Sequence, residues 1–220
     1  MLIPLRQGEL QRLIPAVATG NQFKAMLGNP QQILQRVLIA SIGGVITLLI
    51  SQSTLSSRWG SVWLVIGVVF LLYLLWGPIL DAGRRNSKLR GFPYAAIFDG
   101  FIADAFTRER IEQSHEQANK QGQLELVENR RTWMLLELED EDGYLGQLRF
   151  PMTKKHQSIR AGARIRCLLL SDRNDFQRIE AFSDAWLPGL RLWVGEYPYL
   201  LRPAFEELCQ RRLSAPRPRR

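Results

Sequence analysis

Two histidines, two cysteines, an acidic run and a cluster of cations are the residues of this chain best equipped for chemistry. His115 and His156 lie 41 positions apart in polar segments. Neither has metal-ligand spacing or triad partners, so both read as exposed surface histidines. Glu137, Glu139, Asp140, Glu141 and Asp142 place five acids in six positions, a set that could face a hard cation. The oxygen spacing of a calcium loop is missing, and the run reads as a solvated hairpin tip. Cys167 and Cys209 stand 42 positions apart, which suits free core thiols in a reducing compartment. Walker loops, dinucleotide fingerprints, nucleophile elbows and CxxC pairs do not occur. The chain therefore reads as non-enzymatic, with no catalytic, cofactor or metal site.

Two groups are better suited to binding. Arg84, Arg85, Lys88 and Arg90 directly follow an apolar segment. They could hold anionic lipid headgroups or simply enforce membrane topology, and topology is the simpler role. Trp186, Trp193, Tyr197 and Tyr199 form an aromatic cluster broken by Pro188-Gly189 and Pro198. It could dock a partner, or seal the end of a small β-domain, and sealing is the plainer reading.

The charge distribution decides what these groups face. The 220-residue chain is 46% apolar and carries a net +8, which invites a nucleic-acid reading. Residues 1–90, however, hold +7, residues 91–210 hold −4, and the last ten hold +5. Cations flank the apolar segments and tip the C-terminus, while the body is mildly acidic. A phosphate backbone would find no clustered cations there, so nucleic acid is excluded as a partner.

The apolar segments read as two antiparallel membrane spans. Trp59–Leu80 has no charged residue over 22 positions, about 33 Å as a helix. Trp59, Trp63 and Trp76 mark its ends as interfacial aromatics do. The first segment is weaker, because Val37–Ile50 covers only 14 residues. It reaches spanning length by including Ile33 and Leu34 with Arg36 snorkelling, and a re-entrant segment is the alternative. Its small residues Ala40, Gly43, Gly44 and Thr47 would let another helix approach closely. Arg6, Arg12, Lys24 and Arg36 precede the pair, the four cations above follow it, and the loop carries only Arg58. Both termini are thus expected on the cytoplasmic or stromal side. No cleavable signal is expected, and residues 7–18 suit either a short interfacial helix or one packed on the soluble domain.

Beyond Arg90 the pattern becomes β-like. Strands are expected at Ala96–Phe106, Leu124–Val127, Arg131–Leu138, Tyr144–Phe150, Arg164–Leu169 and Arg178–Phe182. Gly100 reads as a bulge or bend, and Asp142-Gly143 as a hairpin turn. A helix should start at Pro203 with Phe205, Leu208 and Cys209 on one face. The expected fold is a membrane α-helical hairpin plus a small all-β, barrel-like cytoplasmic domain of the OB or SH3 kind, with a C-terminal helix. Expected boundaries are 1–30 for an N-terminal segment, 31–82 for the hairpin, 83–202 for the β-domain and 203–220 for helix and basic tail.

Several stretches resemble a family of cyanobacterial and chloroplast membrane proteins often labelled "phosphate ABC transporter permease". They are Leu2-Ile-Pro-Leu5, Leu13-Ile-Pro-Ala16 with Thr19-Gly20, Leu75-Trp-Gly-Pro78, Arg85-Asn86 and Phe92-Pro-Tyr94. Val127-Glu-Asn-Arg130, Ser171-Asp-Arg173, Leu192-Trp-Val194 and Tyr197-Pro-Tyr-Leu200 complete the set. The resemblance implies an oxygenic phototroph and the thylakoid or plasma membrane. None of its motifs is catalytic. Two spans without a deep charge offer phosphate no route, so the permease label fits poorly. The expected function is a membrane-anchored accessory protein that assists assembly or stabilisation of a photosynthetic membrane complex. Its expected partners are the bilayer and that multi-subunit complex. A transport-system subunit and a lipid-associated membrane-organising protein are the alternatives.

Overall fold

The computed structural model of the chain describes all residues except 7, 29, 55–58, 119–123, 142, 144 and 214–220, with side chains described outside 112–129 and 145. It divides into two compact units. One takes Met1–Leu13 together with the chain from Phe92 onward, and the other is Ile14–Gly91. The first 13 residues thus join the β-rich unit, and the helical unit starts earlier and ends later than the expected 31–82.

Helix α1 (Glu9–Leu13) belongs to the other unit, and α2 (Gly20–Leu27), α3 (Pro30–Ser53), α4 (Trp59–Leu71) and α5 (Tyr73–Arg90) compose the helical one. The weaker apolar segment is the unbroken one: α3 runs for 24 residues, about 36 Å, long and apolar enough to cross a membrane. Its buried residues are small or polar, namely Ala40, Gly44, Thr47 and Ser51. Its large ones, such as Leu38, Ile42, Val45, Ile46 and Leu49, are exposed. Helix α4 packs antiparallel along that small-residue stripe. Ser51 Oγ donates to the Gly60 carbonyl at 2.9 Å, and a Cβ on Gly67 would lie 2.7 Å from Thr47 Oγ1. Close helix approach is the physical reason these positions are small.

The second apolar segment is not one straight helix. It is bent by 69° at Leu72, whose φ of −82° and ψ of 3° depart from helical values. Trp76 therefore serves the bend, its indole N–H donating to the Val69 carbonyl at 2.8 Å across the break. Helix α4 alone is about 20 Å long, short of the roughly 30 Å hydrocarbon core. A buried amide pair ties α2 to α5. Gln22 and Asn86 exchange side-chain hydrogen bonds at 3.3 and 3.0 Å, and Asn86 also donates to the Pro15 carbonyl at 2.9 Å.

The other unit is an antiparallel sheet that curls into a half-barrel. Its strands are β1 (Leu2–Pro4), β2 (Tyr94–Ala118), β3 (Leu124–Glu139), β4 (Leu145–Pro151), β5 (Arg164–Ser171), β6 (Ala181–Phe182), β7 (Ala185–Leu187) and β8 (Leu192–Val194). The order is β4-β3-β2-β5-β7-β8, with β1 on β2 and β6 on β5. Phe98, Ile102, Leu136, Leu138, Phe150, Ile165, Cys167 and Leu169 form its core. Helices α1 (Glu9–Leu13) and α6 (Arg202–Leu213) belong to it too. Leu10 and Leu13 are buried, and Glu9 takes two hydrogen bonds at 2.8 Å from Arg212, so α1 packs on this domain.

The expected Ala96–Phe106 strand is less than half of β2. That strand spans 25 residues and pairs with β3 out to Ala118 opposite Leu124, far beyond the ends of its β5 and β4 neighbours. The sequence of this extension is mostly polar and carries no sustained apolar alternation, so the pattern that marks a half-buried strand is missing from it. Its bulge falls between Ile102 and Asp104 rather than at Gly100. Gly100 answers another need: any Cβ there would collide with the Glu139 carbonyl. Gly143 adopts φ +79°, as the Asp-Gly turn requires.

A leucine at Gly44 or Gly67 should cost the helical unit about 1–3 kcal/mol by overpacking the seam. Ile46→Leu, on the exposed face, should leave it unchanged. Thermal unfolding of the full chain in mild detergent separates the two outcomes.

Candidate functional site

The helical unit contains an open cleft of about 500 Å³ between α2, α3 and α5. Arg84 and Arg85 line it, as does Arg36 from α3, whereas Lys88 and Arg90 do not. Arg36 Nη2 meets Asp81 Oδ2 at 3.0 Å. Only 15% of the Arg36 side chain is exposed, and its Nη1 is buried without a hydrogen-bond partner. Gln32 and Gln35 add neutral polar groups, while Ile39 and Tyr73 form an apolar wall. The four cations expected as a group are thus split, and the third cleft arginine comes from 48 residues upstream of Arg84. Its distant position kept Arg36 out of the expected group; the signal was a lone cation inside an apolar helix.

The aromatic cluster also divides. Trp186 and Trp193 lie on neighbouring strands with ring centroids 5.4 Å apart. Trp193 packs edge-on against Phe205 of α6 at 5.7 Å, donates to Glu206 at 3.1 Å and lies under the Arg202 guanidinium. This is a seal between sheet and helix. Tyr197 and Tyr199 pack edge-on at 4.7 Å and line a separate cleft of about 300 Å³, together with Asp184, Glu180, Glu196 and Arg149.

Two buried carboxylates of the half-barrel have opposite surroundings. Asp99 faces both Arg164, at 2.9 and 2.5 Å, and Arg166, at 2.9 Å. Burial alone would raise its pKa, but the two arginine hydrogen bonds outweigh it and hold the carboxyl below its usual range. Asp184 accepts from the Leu200 N–H at 2.9 Å, yet its Oδ2 is buried without a partner. Burial pushes it up to about 7, against the lowering effects of the Leu200 N–H and the Arg202 charge. Asp140, expected in a solvated tip, is buried and paired with the Met1 ammonium at 2.6 Å. Cys167 and Cys209 are free and buried, and burial pushes Cys209 up to about 12, so both thiols stay protonated at neutral pH. His156 is no surface bystander: its Nδ1 accepts from the Thr153 N–H at 3.2 Å, and its ring packs edge-on against Phe150. His115 lies outside the residues whose side chains are described. Among the described residues, no group of three or more His, Cys, Asp or Glu comes together to hold a metal.

Asp184 generates a pH prediction. Between 3.8 and about 7 the native carboxyl keeps a proton that the unfolded chain has released. Its contribution to stability is therefore full below that window and is lost as pH rises through 7. Asp184→Asn, which mimics the protonated acid, should flatten this fall between about pH 5 and about pH 8. Melting temperatures of variant and parent, read as a difference at each pH, cancel the opposite effect of His156, whose pKa burial lowers.

Neither a curated protein nor a solved structure matches the chain. The model of a family of unknown function (DUF8619) matches residues 3–215, and the chain belongs to that family.

Proposed function

We propose that the chain is a membrane-anchored, non-enzymatic accessory protein that assists assembly or stabilisation of a membrane complex. The observation that carries this reading is the inverted side-chain distribution of α3 and α4. Leu38, Ile42, Val45 and Leu49 of α3, with Val62, Val65 and Val69 of α4, face outward, while the seam is glycine, serine and threonine, with Phe70 and Leu71 of α4 lying over Gly43 and Gly44. A surface of that size would drive aggregation in water, but it is the surface that lipid chains cover. In this reading α3 is one span, and α4 with the first turns of α5 is a second, bent span. The half-barrel, read as a small barrel of the OB or SH3 class, then works on the cytoplasmic or stromal face, because cations flank the pair on that side.

The photosynthetic client and the thylakoid or plasma membrane come from the family resemblance in the sequence. A transport-system subunit is the competing reading. The absence of charged residues from Val37–Ser57 and Trp59–Leu80 counts against it, since a phosphate pathway needs polar groups near the midplane.

Membranes washed in alkaline carbonate should retain the full chain, and protease added to the cytoplasmic or stromal side should remove a C-terminal tag. Release by carbonate would refute the anchor. Deletion should lower the accumulation of at least one photosynthetic complex, measured by native gels and spectroscopy. Normal levels of every complex would sink the assembly role, and co-purification with a transport ATPase would favour the competing reading.

A further inference from the structure

The cleft between α2, α3 and α5 stands where both of its long helices change character. On α3 the exposed apolar residues begin around Leu34, Val37 and Leu38, on either side of Arg36. On α5 the exposed Ile79 and Leu80 give way to Asp81, Arg84 and Arg85. The cleft is therefore lined by cations at the edge of an apolar surface, the level at which headgroups meet hydrocarbon. Three guanidiniums against one carboxylate leave it a net positive charge. Asp81 occupies one terminal nitrogen of Arg36, and the other has no hydrogen-bond partner; it is closed to solvent, so an oxyanion reaches it only when the side chain turns toward the cleft. Guanidiniums suit tetrahedral oxyanions because their N–H groups fork onto two oxygens at once. The volume of about 500 Å³ exceeds what a lone phosphate fills and leaves room for a substituent beside Ile39 and Tyr73.

We propose that this cleft binds a phosphate-bearing anion, with Arg36, Arg84 and Arg85 as its ligands and Asp81 holding Arg36 in place. A lipid headgroup and a free phosphate share this chemistry, and the lipid source rests on the membrane reading above. Carbonate extraction tests that reading separately from the cleft.

The experiment uses the full chain in a neutral detergent, titrated calorimetrically with dioctanoyl phosphatidylglycerol, dioctanoyl phosphatidylcholine and inorganic phosphate. The expected result is saturable binding of phosphatidylglycerol, weakened about tenfold or more by Arg84→Gln with Arg85→Gln, the loss of two charge-assisted contacts. Arg36→Gln should weaken it likewise. Because Arg36 is largely buried, the exposed pair carries the test if that variant fails to fold. Lys88→Gln with Arg90→Gln removes the same charge outside the cleft and should change affinity by no more than about twofold. Inorganic phosphate binding comparably, with the same variant pattern, would support the cleft and assign it to a soluble phosphate. Equal losses in the two double variants, equal binding of phosphatidylcholine, or no saturable binding would overturn the proposal.

Discussion

The α3–α4 pair of the helical unit depends on one constraint: most of its large apolar side chains are exposed rather than packed between the two helices. Neither α3 nor α4 buries a leucine. They are held by backbones that approach closely where side chains are missing. Gly44, Thr47 and Ser51 on α3 meet Leu71, Gly67 and Gly60 on α4, and the Thr47 and Ser51 hydroxyls bond to carbonyls. Thr47 donates to the Gly43 and Gly44 carbonyls within its own helix, which keeps its buried hydroxyl satisfied. Dispersion across that close seam contributes to holding the two helices together.

The half-barrel follows the opposite logic, with a conventional dry core and one central strand. β2 pairs with β1, β3 and β5, so most of the sheet's register passes through it. Asp99 sits on that strand opposite Arg166, and Arg164 reaches the same carboxylate. A buried charge of this kind is tolerable only when it is fully paired, and here the pairing also fixes β5 against β2. Asp184 contrasts with it: one oxygen is used, the other is not, and the group responds by taking up a proton near neutrality. Two carboxylates in one sheet thus differ through their neighbours alone.

Several stretches that carried the family resemblance prove to be structural joints. Pro15, Thr19 and Asn86 meet in one buried network, where Gln22 caps the α2 N-terminus through Thr19 and bonds to Asn86. Ser171 accepts from the Arg173 N–H and donates to the Arg178 carbonyl, closing the turn after β5. Leu200 is the residue whose N–H satisfies Asp184. These residues specify how chain segments are tied, which is why they resembled no catalytic signature.

The sequence by itself determined the element types with strong local signals. Charge-free length announced apolar helices, alternation announced β5 with Ile165, Cys167 and Leu169 inward, and Pro203 with Phe205 and Leu208 announced α6. The positive φ at Gly143 was legible because an Asp-Gly turn has few other uses. Only the tertiary structure decided what depends on distant neighbours. The bend at Leu72 lies within a uniformly apolar run, where hydropathy is blind to direction. The long β2–β3 ribbon is held by cross-strand hydrogen bonds that a polar sequence does not advertise. Arg36 joined Arg84 and Arg85 only once α3 and α5 were placed side by side, because a cleft is a property of packing and not of spacing along a chain.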